Sequence, residues 1–105
     1  MAVAKHVSAI LDIDRLVHEP ARLVLLSILY AVESADFNYL AGETDLTKGN
    51  LSSHLSRLED AAYIHVEKTY KGKTPLTIYR ITADGGHALE TYLSRMGNFL
   101  QTIHK

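Results

Sequence analysis

The chain has 105 residues, 47% of them hydrophobic, which suits one packed domain and excludes a disordered chain. It contains no cysteine, which excludes disulfides, thiolate catalysis and cysteine-ligated zinc and fits a cytoplasmic protein. The net charge of −1 is unevenly spread: residues 1–47 hold three Lys/Arg against seven Asp/Glu, and residues 48–80 hold six against three.

The N-terminus lacks the long apolar run and cleavage site of a signal peptide, and no apolar run is long enough to cross a bilayer. Residues 3–17 place Val3, Val7, Ile10, Leu11, Leu16 and Val17 at helical spacing. Pro20 ends that element and can open the next. Residues 21–32 are apolar nearly all round, which predicts a central core helix. Residues 33–37 form a polar loop in which Phe37 contributes at most a very short strand. Asn38 then caps a short helix over 39–43.

Residues 44–46 form a tight turn, with Asp45 at a left-handed position, and Thr47 caps the helix that follows. In that helix Leu51, Leu55 and Leu58 share one face. The opposite face carries Lys48, Asn50, Ser53, Ser56 and Arg57, with no acidic residue before Glu59. Small hydrogen-bonding groups with cations and no carboxylates suit a helix that enters a DNA groove. Helix, three-residue turn and helix make a helix-turn-helix unit whose second helix reads the groove.

Residues 64–70 alternate, with Ile64, Val66 and Lys68 on one side, and residues 76–81 alternate again with β-branched and aromatic side chains. A loop over 71–75 containing Lys71, Gly72 and Lys73 joins them into a basic hairpin, the wing of a winged helix. Thr82 caps a last helix from about residue 83 to the end, whose first turn Gly85 and Gly86 weaken. Its stripe of Leu89, Tyr92, Leu93, Met96, Phe99, Leu100 and Ile103 is longer than a small domain can cover. With the N-terminal helix, Leu11 included, it is expected to bury itself against a second copy; the alternative is that it folds back over its own core. The predicted class is α+β, mostly α: one winged helix-turn-helix domain over 1–105, with a two-stranded wing and a long C-terminal dimerisation helix.

Several motifs act together: Pro20 to Arg22, Asp36-Phe37-Asn38-Tyr39-Leu40-Ala41, Leu46-Thr47-Lys48-Gly49-Asn50-Leu51-Ser52, His54-Leu55, Leu58-Glu59 and Tyr63-Ile64. They continue through the wing at 68–75, Tyr79, Ile81-Thr82 and Gly85. On these residues the chain resembles the small winged-helix transcriptional regulators related to the MarR and ArsR families, from Ile13 to Leu100. It departs from them at Asp45 and Ala62, where they usually carry Gly, and at Gly86, where Arg is frequent. The resemblance implies a homodimer joined by its terminal helices, with two recognition helices in successive major grooves of duplex DNA.

The resemblance also implies the contacts. Lys48, Gly49, Asn50, Ser52, Ser53 and Arg57 would lie at the DNA. There Gly49 permits close backbone approach, Asn50 can pair with an adenine edge, and Lys48 and Arg57 grip phosphates. Lys68, Lys71, Lys73 and Thr74 would hold phosphates or enter the minor groove. Tyr70 either hydrogen-bonds a phosphate with its ring buried or packs at the strand end.

The six histidines form no HExxH and no pair at i, i+4, and His87 with Glu90 and a distant His104 makes no metal site. His54, beside the apolar face, packs or touches a phosphate. No catalytic grouping or nucleotide loop is evident, so neither an enzyme nor a cofactor is expected. The expected function is a sequence-specific DNA-binding regulator, a repressor in its simplest form. A small-molecule effector could change the dimer angle. The alternative is a winged-helix module for protein–protein contact with weak DNA affinity.

Overall fold

The computed structural model describes the backbone of residues 2–104 and the side chains of residues 5 and 7–104. Met1 and Lys105, the ends of the predicted domain, and the side chain of Val3 lie outside the described residues. The elements are α1 (Ala2–Ala9), a 3-10 turn (Ile10–Asp12), α2 (Pro20–Val32), β1 (Ser34–Asp36) and α3 (Phe37–Thr44). They continue with α4 (Lys48–Asp60), β2 (Ile64–Lys71), β3 (Thr74–Ile81) and α5 (Ala83–Ile103).

The first helix is shorter than predicted. The Asp14 carboxylate accepts the backbone N–H of Leu16 (2.9 Å) and of Val17 (3.2 Å), and its carbonyl accepts that of His18 (2.8 Å). A short acidic side chain thus offers these donors an alternative to helix. Pro20 opens α2 as expected, capped by Glu19, whose carboxylate accepts the Arg22 N–H at 2.8 Å. Leu25, Leu26 and Leu29 are fully buried, but Val24, Tyr30 and Val32 are exposed, so α2 is a core helix on one side only.

Asp36, not Asn38, caps α3, accepting the Tyr39 N–H at 2.8 Å. Phe37 is accordingly the first helical residue, with its ring 6.5 Å from that of Tyr79. The strand precedes it: β1 pairs antiparallel with β3, giving a three-stranded sheet of order β1-β3-β2 in place of the predicted two strands. The wing loop is also tighter than predicted. Lys71 pairs with Thr74, leaving Gly72 and Lys73 as the turn, and Gly72 at φ +65° takes the positive φ that a two-residue hairpin demands.

Helix α4 ends in a Schellman arrangement, with Tyr63 N–H to Leu58 carbonyl at 3.0 Å and Ala62 N–H to Glu59 carbonyl at 2.9 Å. This places Ala62 at φ +62°, and Asp45 closes α3 at φ +56°. Both are positions where glycine would be unstrained, which is the physical reason to expect glycine there.

The core joins Val17, the α2 leucines, Leu40, Leu51, Leu55, Leu58, Ile64, Tyr79, Leu89 and Tyr92. The molecule is elongated, 61 × 25 × 20 Å, and α1 lies along α5. The last buried residue of α5 is Tyr92, although the helix runs on to Ile103. No described helix is long and apolar enough to cross a membrane.

Candidate nucleic-acid interface

Thr47 sets the start of α4 by accepting the Asn50 N–H at 3.2 Å. The helix is held from behind by Leu51, Leu55 and Leu58, all buried. Lys48, Gly49, Asn50, Ser52, Ser53 and Arg57 are all exposed, so the structure brings the α4 residues predicted to contact DNA onto one outward surface, with the exposed Ser56 beside them. A Cβ built on Gly49 meets nothing within 4 Å, so no contact inside the chain requires glycine there.

His54 belongs to the buried side of this helix. Its Nδ1 lies 3.1 Å from an Arg22 guanidinium nitrogen, and since a guanidinium only donates, Nδ1 is the acceptor. The same Arg22 donates through Nε to the Leu16 carbonyl at 2.7 Å, and the Glu19 carboxylate lies 3.9 Å from His54 Nε2. This cluster ties α4 to the start of α2, so within the chain His54 packs.

The wing faces follow from strand register. Ile64 pairs with Ile81, Val66 with Tyr79, Lys68 with Thr77 and Tyr70 with Pro75, and paired residues share a face. Ile64 and Tyr79 on that face are buried in the core, with Val66 and Ile81 packed against it. Lys68 therefore stands on the side of α4, whereas Lys71 and Thr74, a pair one step out of phase, stand on the other. Lys73 lies in the turn. Tyr70 is 70% exposed, so its ring is not buried as one reading of the sequence required.

Between α4 and the wing is a crevice of about 210 Å³ lined by Ser52, Ser56, Glu59, Lys68, Thr77 and Tyr79 together with Leu55 and Val66. Burial, and then the Glu59 carboxylate, push the Tyr79 phenol up. Among the described residues, none of Lys48, Arg57, Lys68, Lys71 and Lys73 has a carboxylate within 4.0 Å. Their charge is uncompensated at short range, as a polyanion-binding surface requires.

The predicted dimer stripe divides. Leu89 (2% exposed) and Tyr92 (5%) are in the chain's own core, which corrects their placement at a partner surface; Tyr92 also pairs with His18 Nδ1 at 2.8 Å. Leu11, Leu93, Leu100 and Ile103 are exposed, and Met96 and Phe99 are half-buried. Sequence reasoning missed the role of Gly85. A Cβ there would sit 2.0 Å from the Tyr63 carbonyl oxygen, so the start of α5 packs on the turn between α4 and β2 only because residue 85 is glycine. Thr82 clips the same junction, through its hydroxyl to the Ala62 carbonyl (2.7 Å) and its N–H to the Tyr63 carbonyl (3.0 Å).

The fold is shared with known proteins. The profile of the winged helix DNA-binding domain family matches residues 21–100. An uncharacterized protein of Methanocaldococcus jannaschii is 38% identical over 73 residues, covering 69% of this chain and 78% of its own. A transcriptional regulator homologue from Pyrococcus horikoshii superposes with a TM-score of 0.84 at 25% identity, covering all of both chains. A protein assigned to the MarR family of transcriptional regulators from Enterococcus faecalis shares the fold, with a TM-score of 0.69 at 22% identity over 85% of this chain and 79% of that one.

Proposed function

We propose, for a chain that belongs to the winged helix DNA-binding domain family, that it is a sequence-specific transcriptional regulator of duplex DNA. The observation that carries this reading is the exposed face of α4, which combines Lys48, Asn50, Ser53 and Arg57 with no acidic residue before Glu59. Lys68, Lys71 and Lys73 extend the positive charge onto the wing. In this reading α4 lies in the major groove, Asn50 reads a base edge, and Lys48 and Arg57 position the helix on phosphates. The wing lysines and Thr74 engage the adjacent backbone or minor groove.

The protein works as a homodimer in the cytoplasm, joined through Leu11, Leu93, Met96, Phe99, Leu100 and Ile103. A two-fold pair presents two recognition helices to half-sites about one helical turn apart. A dimer that occupies a promoter represses by exclusion, and a small molecule that changed the dimer angle would change the helix spacing. Selection from a random duplex library tests the proposal. A pseudo-palindromic consensus with half-sites about 10–10.5 base pairs apart is expected. Failure to enrich any sequence, from a protein shown to be folded, would contradict sequence-specific binding and favour the protein-contact alternative.

A further inference from the structure

We propose that the crevice between α4 and the wing seats one backbone phosphate of duplex DNA, held by the Lys68 ammonium and the hydroxyls of Ser52, Ser56 and Thr77. This rests on the DNA-binding reading above and adds Ser56 and Thr77 to the contact surface. With a helix in the major groove and a wing in the neighbouring minor groove, the ridge between them is the sugar–phosphate backbone. The crevice is the place on this molecule that such a ridge must cross.

Two observations fit that occupant. First, Lys68 and Thr77 are a register pair on the sheet face that turns toward α4, and Ser52 and Ser56, one helical turn apart, line the opposite wall. Second, the hydroxyls are free. Ser27, Thr44 and Thr102 each bond back to a carbonyl four residues earlier in their helices, at 2.7, 2.7 and 2.8 Å. Ser52, Ser56 and Thr77 make no side-chain hydrogen bond among the described residues, and Lys68 has no carboxylate within 4.0 Å. Three uncommitted hydroxyl donors and an ammonium therefore line one narrow cleft, the donor set a phosphate diester takes. Glu59 also lines the crevice and repels an anion, which keeps the phosphate at the outer mouth and out of the depth beside Tyr79.

The test is a fluorescence-anisotropy titration of random-sequence duplex by the full chain over a range of salt. Ser56→Ala/Thr77→Val should bind about tenfold more weakly, because two hydrogen bonds to a charged group are lost. The slope of log K against log salt should stay unchanged, because no cation is removed. Glu59→Gln should bind several-fold more tightly, because a repulsive charge is removed. Equal binding by the double variant and the wild type would overturn the proposal while leaving DNA binding intact. Absence of wild-type binding at low salt would overturn the DNA reading and this proposal with it. If thermal melting shows the double variant unfolded, Ser52→Ala/Ser56→Ala on the exposed helix surface carries the same prediction. Calorimetry with inorganic phosphate at constant ionic strength separates a free anion from the DNA backbone. Saturable phosphate binding that the double variant loses, with duplex binding equal between variant and wild type, would reassign the crevice to a free anion and overturn the placement.

Discussion

At Gly49 stability and binding pull in opposite directions. A Cβ there meets nothing within the chain, and alanine outranks glycine in helices by up to about 1 kcal/mol. Gly49→Ala should therefore raise stability in urea melts and, with α4 against a groove, weaken duplex binding. A variant that is more stable and binds as well as the wild type would contradict the close approach of this turn to DNA. Tyr63 makes a separate prediction. Its hydroxyl donates to the Asp14 carboxylate, and that bond, ahead of burial, pushes the phenol up to about 12 from 10.0. The native state then holds the proton more tightly than the unfolded chain. The resulting stability is complete below pH 10 and is lost as pH rises toward 12. Tyr63→Phe should cost about 1 kcal/mol at neutral pH. Its deficit against wild type should close across pH 10–12 in denaturant melts; a constant deficit would contradict the assignment.

Among the elements, the junction of α5 with the turn between α4 and β2 leaves no room for a side chain. Gly85→Ala would press a Cβ into the Tyr63 carbonyl, and a backbone atom cannot rotate away. A loss of about 2–3 kcal/mol is expected, read as a lower midpoint in thermal or urea unfolding; an unchanged midpoint would contradict the close approach. This contact could not be read from the sequence, because it joins residues far apart in the chain, and Gly85 looked only like a weak helix start. Local signals were legible. Thr47, Thr82 and Pro20 mark helix starts by the groups they offer to the first turn, and the leucines of α4 mark its buried face by spacing alone. Asp36 and Asn38 are both good caps two residues apart, and only the fold chose between them. The stripe on α5 showed one apolar face but not what covers it. Leu89 and Tyr92 go to the core, while Leu93, Leu100 and Ile103 remain outside. The exposed end sets its own prediction: Leu100→Ser/Ile103→Ser should shift sedimentation from dimer to monomer with little change in helix content. A wild-type protein that sediments as a monomer would contradict the dimer.

Across the whole molecule, the proposed function rests on separation of charge. The N-terminal 47 residues are acidic, and the surplus of cations lies in α4 and the wing, so a chain with net charge −1 can still present a positive face. The α2 start, through Arg22 and His54, fixes that face relative to the core, and the sheet register fixes the wing beside it. The most direct test is the salt dependence of duplex binding by the wild-type protein. With Lys48, Arg57, Lys68, Lys71 and Lys73 contributed by each protomer of the proposed dimer, log K should fall against log salt with a slope of about −9. Lys48→Ala/Arg57→Ala should flatten that slope. Binding that ignores salt, or a slope the double variant leaves untouched, would contradict a DNA interface built on α4.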